Sequence, residues 1–129
     1  MNNIIKKTIC VLEDDDAIRE VIILLLTEED YQVISFASVG GFFKDPHSIN
    51  PDLFLLDVML QDGNGIEVCS KLKSNILTSH IPVLMMSANF DKYQVHTSCA
   101  AQGFIAKPFD IYDLLKKVDF ALSLPPLAS

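Results

Sequence analysis

The segment DLFLLDVM, residues 52–59, decides the fold of this chain. Its apolar residues form a nearly continuous run, which is typical of a parallel strand that is covered on both faces. Asp57 interrupts this run, and burying a carboxylate without a partner is costly. The segment therefore predicts a central strand of an α/β fold, with a carboxylate near its end that needs a cation.

The rest of the chain alternates short apolar runs with segments of helical spacing. Four further strands are predicted, over Thr8–Leu12, Gln32–Phe36, 81–88 and Gly103–Ala106. Five helices are predicted, over 17–29, from 39 to a stop at Pro46, over 66–74, over about 91–100 and over 110–124. This alternation indicates an α/β fold. Right-handed crossovers favour a flavodoxin-like, doubly wound, five-stranded parallel sheet of order 2-1-3-4-5.

Length and composition set limits on the function. The chain of 129 residues has the size of one domain, with a core over about 8–122 and a frayed tail over 123–129. Its net charge of −7 argues against a surface for nucleic acid or an acidic membrane. No apolar run is long enough to span a membrane, and no signal peptide is recognisable. Three scattered cysteines, Cys10, Cys69 and Cys99, predict free thiols, so we expect a cytoplasmic protein.

Polar residues gather where the predicted strands end. Glu13 and Asp14 follow the first strand, Asp57 lies in the third, Ser87 ends the fourth and Lys107 follows the fifth. Ligands of such sheets bind beyond the carboxyl ends of the strands. Oxygen donors without accompanying histidine or cysteine favour Mg²⁺, and a carboxylate beside this ion can attack a phosphoryl group.

Each of these features also has an ordinary structural interpretation. The acidic run of residues 13–16 is typical of a helix-capping turn, and a carboxylate such as Asp57 can cap a turn. Ser87 and the Lys107-Pro108 pair can belong to ordinary turns. Their coincidence at successive strand ends favours a site. Within the acidic run we expect only the first two residues to reach a metal, and the last two to begin the helix.

From about Thr8 to Leu122, the chain resembles the response-regulator receiver domains of two-component signalling. The resemblance is carried by the motifs VLEDDDAIRE, PDLFLLDVML, DGNGIEVCSKLK, IPVLMMSA and GFIAKPFD. It implies that Asp57 is the phosphoacceptor and that Glu13 and Asp14 bind Mg²⁺ together with it. The family's third protein ligand would be the backbone carbonyl of Met59.

The resemblance also implies a switch. Ser87 matches the hydroxyl residue that follows the phosphoryl group, and Lys107 matches the lysine that pairs with it. Phe104 matches the aromatic switch residue, and the Lys107–Pro108 bond is cis in the family. Gln61 departs from the pattern, because many members have proline there, which predicts a less rigid loop. The segment between Ser87 and Lys107 is shorter than in many members, which predicts a short fourth helix.

The implied function is a phosphorelay. A histidine kinase or a histidine phosphotransfer protein would supply the phosphoryl group, and the chain would catalyse only its own phosphorylation and dephosphorylation. A downstream protein would bind the face formed by the fourth helix, fifth strand and fifth helix, with no direct contact to nucleic acid or membrane. The implied function also allows two copies of the chain to form a homodimer on phosphorylation. With no output segment after Leu124, we expect a stand-alone receiver, although a truncated one would look the same.

Two rival functions remain. A Mg²⁺-dependent phosphohydrolase of the haloacid-dehalogenase type would need a second acid two residues after Asp57, where this chain has Met59. A phosphorylation-independent interaction module on the same fold would be expected to lack the acceptor, the acidic pair or Lys107. All of these are present.

Overall fold

The computed structural model describes residues 6–44, 50–88 and 99–123. Its strands are β1 (Thr8–Leu12), β2 (Gln32–Phe36), β3 (Leu53–Asp57), β4 (Met59–Leu60), β5 (Gly63–Asn64), β6 (Val83–Ser87) and β7 (Gly103–Ala106). Five of them form one sheet of order β2-β1-β3-β6-β7, in which every neighbouring pair is parallel. The predicted doubly wound order 2-1-3-4-5 is therefore confirmed.

The short strands β4 and β5 form a separate antiparallel pair that the sequence did not predict. Met59 lies opposite Asn64, and Leu60 lies opposite Gly63. Residues 61 and 62 form the turn between the two strands. The pairing folds the chain after Asp57 back on itself, so that this connection is fixed by backbone hydrogen bonds.

Four helices lie in the described part of the chain, namely α1 (Asp16–Glu28), α2 (Val39–Lys44), α3 (Gly65–Ser74) and α4 (Ile111–Leu122). Most of the predicted helix over 91–100 lies outside the described residues, as do Pro46 and the tail from residue 124. Cys99 and Ala100, at the predicted end of that helix, are not helical. None of the described helices has both the length and the apolar composition that crossing a bilayer demands.

Alternation along the strands builds a core on each face of the sheet. In β1, Cys10 and Leu12 face one layer with α2 and α3, whereas Ile9 and Val11 face the other with α1 and α4. β3 and β6 are buried along their whole length, as a strand covered on both faces must be. The continuous apolar runs of the sequence thus reflect a two-sided burial that holds the strand ends in register.

The turn between β1 and α1 separates the acidic run into different roles. The Asp15 side chain caps α1 by accepting a hydrogen bond from the Ile18 N–H at 3.0 Å. Asp16 is already in the first turn, where it pairs with Arg19 at 2.6 Å. Both residues are exposed, in keeping with a role in starting the helix.

We expect Asp15→Ala to lower the free energy of unfolding by about 1 kcal/mol, because the cap satisfies an otherwise orphaned backbone N–H. Asp16→Ala should cost about 0.5 kcal/mol or less, since an exposed ion pair contributes little. Urea unfolding of the two variants beside the wild type measures the difference. A larger loss for Asp16→Ala than for Asp15→Ala would contradict this assignment of the cap.

Candidate functional site

The carboxyl ends of four parallel strands converge on one edge of the sheet. Glu13 follows β1, Asp57 ends β3, Ser87 ends β6 and Lys107 follows β7. The register places Asp57 beside Met86 and Ser87 beside Ala106, so the strands stop at nearly the same level. The sheet topology alone therefore brings together residues that are up to 94 positions apart in the chain.

Lys107 links the two buried carboxylates of this edge. Its Nζ donates to Asp57 Oδ2 at 2.9 Å and also to Glu13 Oε1. Glu13 is fully buried and Asp57 is 5% exposed, so neither charge has bulk water as its partner. The Lys107 backbone N–H donates to the Ser87 carbonyl at 3.0 Å, and the Lys107–Pro108 peptide bond is cis. The ammonium group is thus the common counter-charge of the site.

The side-chain carboxyl of Glu13 has a strongly raised pKa. Burial raises its pKa to about 7, and the neighbouring Asp57 carboxyl acts in the same direction. Hydrogen bonds from Lys107 and from the Asp15 N–H oppose this rise. The pKa of Lys107 is lowered by burial but raised further by its bonds to both carboxylates, so that the net direction is upward. Because the two carboxyl groups share a single lysine, an additional positive charge beside them would be favourable.

A third acid completes a cluster that can hold a cation. Oxygen atoms of Glu13, Asp14 and Asp57 all lie within 4.8 Å of one another. Asp14 is half-buried, and its Oδ2 accepts the Gln61 N–H at 2.9 Å. A set of carboxylate oxygens matches the preference of a hard divalent cation such as Mg²⁺. The donor set therefore fits the predicted metal.

The loop after Asp57 is held against the acids by its backbone. The Met59 N–H donates to Asp57 Oδ1 at 3.2 Å, while its side chain is 64% exposed. The Met59 carbonyl as a metal ligand stays a prediction. Gln61, at the position where proline was expected in many relatives, supplies an N–H to Asp14 that proline would lack.

The two predicted switch residues lie on neighbouring strands. Ser87 is buried at the end of β6, and Phe104 in β7 is half-buried against the core layer that contains α3. The Phe104 carbonyl accepts a hydrogen bond from Lys117 Nζ at 2.9 Å, and Lys117 also pairs with Asp113 on α4. The role of Ser87 and Phe104 in switching remains a prediction. The hydrogen bond from Lys117 to the Phe104 carbonyl links α4 to β7.

Two residues near the site have structural roles that the sequence did not predict. Gly65 begins α3 so close to β3 that a Cβ atom there would lie 2.0 Å from the Asp57 carbonyl oxygen. Asp62 accepts hydrogen bonds from the N–H groups of Val39 at 2.9 Å and Gly40 at 3.0 Å, and these bonds lower its pKa. The position of Gly65 in the motif DGNG could have indicated a close backbone approach. The contact of Asp62 with α2 could not be predicted, because no local sequence pattern marks it.

Comparison with known proteins agrees with this geometry. The family model described as "Response regulator receiver domain" matches residues 9–119. Response regulator ArlR of Staphylococcus epidermidis is 33% identical over 119 residues, which cover 92% of this chain and 53% of that protein. The DNA-binding dual master transcriptional regulator RpaA of Synechocystis is 34% identical over 115 residues, covering 85% of this chain and 46% of that protein.

A solved structure shows the same fold. The response regulator receiver domain protein (CheY-like) from Methanospirillum hungatei is 26% identical and has a TM-score of 0.84. The match covers 92% of this chain and 94% of that one. By contrast, the chain spans about half the length of the curated relatives it matches. The similarity therefore concerns the receiver portion of those proteins.

We expect Gly65→Ala to destabilise the fold by about 3 kcal/mol or more, because the added methyl group would overlap the backbone of β3 at Asp57. Gly40→Ala is the matched control. Its Cβ would meet only Asp62 Oδ2 at 3.6 Å, so the gain in helix propensity should make it neutral or slightly stabilising. Thermal and urea unfolding measure both variants. Equal stability of the two would contradict the close approach at Gly65.

The raised pKa of Glu13 predicts a pH-dependent stability in the absence of metal. A carboxyl that titrates at 4.5 when unfolded and at about 7 when folded stabilises the native state below pH 4.5. This contribution is lost as the pH rises to about 7, by at most about 3 kcal/mol. Unfolding in urea with EDTA should therefore show the wild type losing stability over this range relative to Glu13→Gln. If the free energy of unfolding of the wild type, relative to that of Glu13→Gln, stayed constant or rose with pH over this range, the assignment of the raised pKa would be refuted.

Proposed function

Because the chain belongs to the response regulator receiver domain family, we propose that it is a phospho-accepting switch of a two-component phosphorelay, with Asp57 as the acceptor. The observation that carries this proposal is the buried Asp57 carboxylate, bonded to Lys107 and grouped with Glu13 and Asp14. Receiver domains interact with histidine kinases. We propose a histidine kinase or a histidine phosphotransfer protein as the donor.

The transfer would use Asp57 as a nucleophile. A carboxylate oxygen of Asp57 attacks the phosphorus of a phosphohistidine, the P–N bond breaks, and the imidazole nitrogen keeps the electron pair and takes a proton. The fixed bonds to Lys107 and to the Met59 N–H orient the carboxylate before the reaction. Water later attacks the aspartyl phosphate, which returns the carboxylate and inorganic phosphate.

The remaining site residues would stabilise charge on the transferring group. A Mg²⁺ ion held by Glu13, Asp14, Asp57 and the Met59 carbonyl would supply positive charge to the phosphoryl oxygens. Lys107 is already within hydrogen-bond distance of the acceptor, and the buried Ser87 hydroxyl is placed on the adjacent strand end.

The signal would leave the site through β7 and α4. Phe104 belongs to β7, its carbonyl binds Lys117 of α4, and α4 exposes the large apolar residues Ile111, Tyr112 and Phe120. Added charge at Asp57 would shift the balance between two conformations of Ser87 and Phe104. We propose that a downstream protein binds this face, and that phosphorylation can also bring two copies together.

The net charge and the cysteines bear on the partners and the compartment of the chain. RpaA is named as DNA-binding as a whole protein, whereas the present chain matches about half of it and carries a net charge of −7. We propose that the receiver portion itself does not contact nucleic acid or membrane. The three free cysteines fit a reducing compartment, so the cytoplasm is the proposed location.

The phosphohydrolase alternative is weaker than the switch. Two residues after Asp57 stands Met59, whose side chain is exposed and cannot act as a general acid or base. The interaction-module alternative would leave the Glu13, Asp57 and Lys107 ion pairs without a function, although burying them is costly. We therefore propose that turnover is limited to the chain's own phosphoryl group.

Acetyl phosphate with Mg²⁺ tests the proposal. Intact-mass spectrometry should show one added phosphoryl group on the wild type, and none on Asp57→Asn or after EDTA is added. Asp16→Ala is the matched control, because it removes a nearby acid that lies outside the cluster. It should accept phosphate like the wild type.

Three results would overturn the proposal. One is the absence of an adduct on wild-type protein that is shown to bind Mg²⁺. Another is an adduct on Asp57→Asn as large as on the wild type. The third is sustained hydrolysis of p-nitrophenyl phosphate that depends on Asp57, which would favour the phosphohydrolase.

A further inference from the structure

Each of the three acids in the cluster accepts a hydrogen bond from a backbone N–H, but the donors differ in origin. Asp57 Oδ1 and Glu13 Oε2 each accept the N–H of the residue two positions later, at 3.2 Å. The third bond runs from the Gln61 N–H to Asp14 Oδ2 at 2.9 Å, between residues that are 47 positions apart. Asp14 is therefore the acid whose backbone partner depends on the tertiary fold.

Asp14 also differs from the other two acids in its ion pairs. Lys107 binds Glu13 and Asp57, which fixes these two carboxylates from a second side. Asp14 is half-buried at the rim, and within the described ranges the Gln61 N–H is the hydrogen-bond donor that the structure gives it. The orientation of Asp14 thus depends on where the backbone of residue 61 is held.

The tip of the β4–β5 hairpin is anchored to α2. The Asp62 carboxylate accepts the N–H groups of Val39 at 2.9 Å and Gly40 at 3.0 Å. Gly63 lies so close to the start of α2 that a Cβ atom there would be 2.9 Å from Val39 Cγ2. Residue 61 stands next to this anchor in the chain. Its N–H is therefore held in place by the fold itself.

We propose that the backbone N–H of Gln61 is a positioning group for Mg²⁺ binding, which holds the Asp14 carboxylate beside Glu13 and Asp57 and so raises the affinity for the ion. The inference rests on the Mg²⁺ site of the proposed function. A carboxylate that is already oriented loses less conformational freedom when it binds a cation. It also has about four acceptor positions, so one N–H leaves others free for the ion.

Proline at position 61 would remove this donor while suiting the local backbone. Proline needs a negative φ, and the one non-glycine residue with a positive φ in the described part of the chain is Asp30. The residue before a proline is usually extended, and Leu60 belongs to β4. Gln61→Pro is therefore expected to keep the hairpin. Gln61→Ala is the matched control, because it retains the N–H and changes only an exposed side chain.

The test titrates the full chain with magnesium chloride at constant ionic strength and follows backbone amide signals by NMR, which gives the Kd of each variant. We expect Gln61→Pro to weaken Mg²⁺ binding about tenfold, as the loss of a group that orients a metal ligand typically does. Gln61→Ala should stay within about twofold of the wild type. Thermal unfolding without Mg²⁺ checks that both variants fold.

A double-mutant cycle with Asp14→Ala shows whether the effect passes through Asp14. Gln61→Pro should weaken Mg²⁺ binding in the wild-type background but not in the Asp14→Ala background, because the N–H then has no carboxylate to hold. A general distortion of the loop by proline would weaken binding equally in both backgrounds.

The anchor on α2 supplies a second test that does not need proline. Asp62→Ala removes both bonds to α2, whereas Asp62→Asn removes the same charge but keeps an acceptor oxygen. We expect Asp62→Ala to bind Mg²⁺ several-fold more weakly than Asp62→Asn, since the released hairpin tip no longer fixes the N–H of residue 61.

The outcomes separate this inference from the proposed function. Equal Mg²⁺ affinities of Gln61→Pro and Gln61→Ala, or an equal loss from Gln61→Pro in both backgrounds of the cycle, would overturn the positioning role and leave the proposed function standing. If Gln61→Pro does not fold, equal affinities of Asp62→Ala and Asp62→Asn would overturn it in the same way. A wild type that binds no Mg²⁺ would overturn the metal site of the proposed function, and the inference with it.

Discussion

The ammonium group of Lys107, placed between the buried carboxylates of Glu13 and Asp57, is the interaction on which the site depends. Two carboxylates removed from water repel each other and are each destabilised by desolvation. One lysine compensates only part of this charge, and Asp14 adds a third carboxylate at the rim. Burial raises the pKa of Glu13 to about 7, and the neighbouring Asp57 adds to this rise. A cluster of carboxylates built in this way is suited to hold a cation, and this argument for a metal site does not rest on the family.

The fold is what makes this arrangement reachable. In the order β2-β1-β3-β6-β7, Lys107 at the end of the edge strand must extend past β6 to contact Asp57 on β3 and Glu13 beyond β1. Neighbouring strands lie about 4.8 Å apart, and the long Lys107 side chain reaches both carboxylates from the edge strand. Arg19 on α1 fixes the far end by donating to the Glu13 carbonyl at 2.9 Å. Because Gly65 has no Cβ atom, α3 can begin directly against the Asp57 backbone.

The sequence predicted the elements whose signals are local and left out those that depend on tertiary contact. Continuous apolar runs sufficed for β3 and β6, because burial on both faces requires them. Glu13, Asp57 and Lys107 could be grouped in advance, since parallel strands end at one edge. The β4–β5 pair was missed because two-residue strands carry no periodicity.

The sharing of Lys107 also gives the proposed switch a physical origin. An ammonium group has three donors, and here it serves one oxygen of Asp57 and one of Glu13. A phosphoryl group on Asp57 would add charge and acceptor oxygens, so Lys107 would turn from Glu13 toward the phosphate. The backbone of Lys107 is bonded to the Ser87 carbonyl, and Ser87 is in register with Ala106 of β7. In the proposed switch, a change at the Lys107 side chain would act on the strand pair that carries both Ser87 and Phe104. It would reach Lys117 of α4 through the Phe104 carbonyl, which accepts a hydrogen bond from Lys117 Nζ.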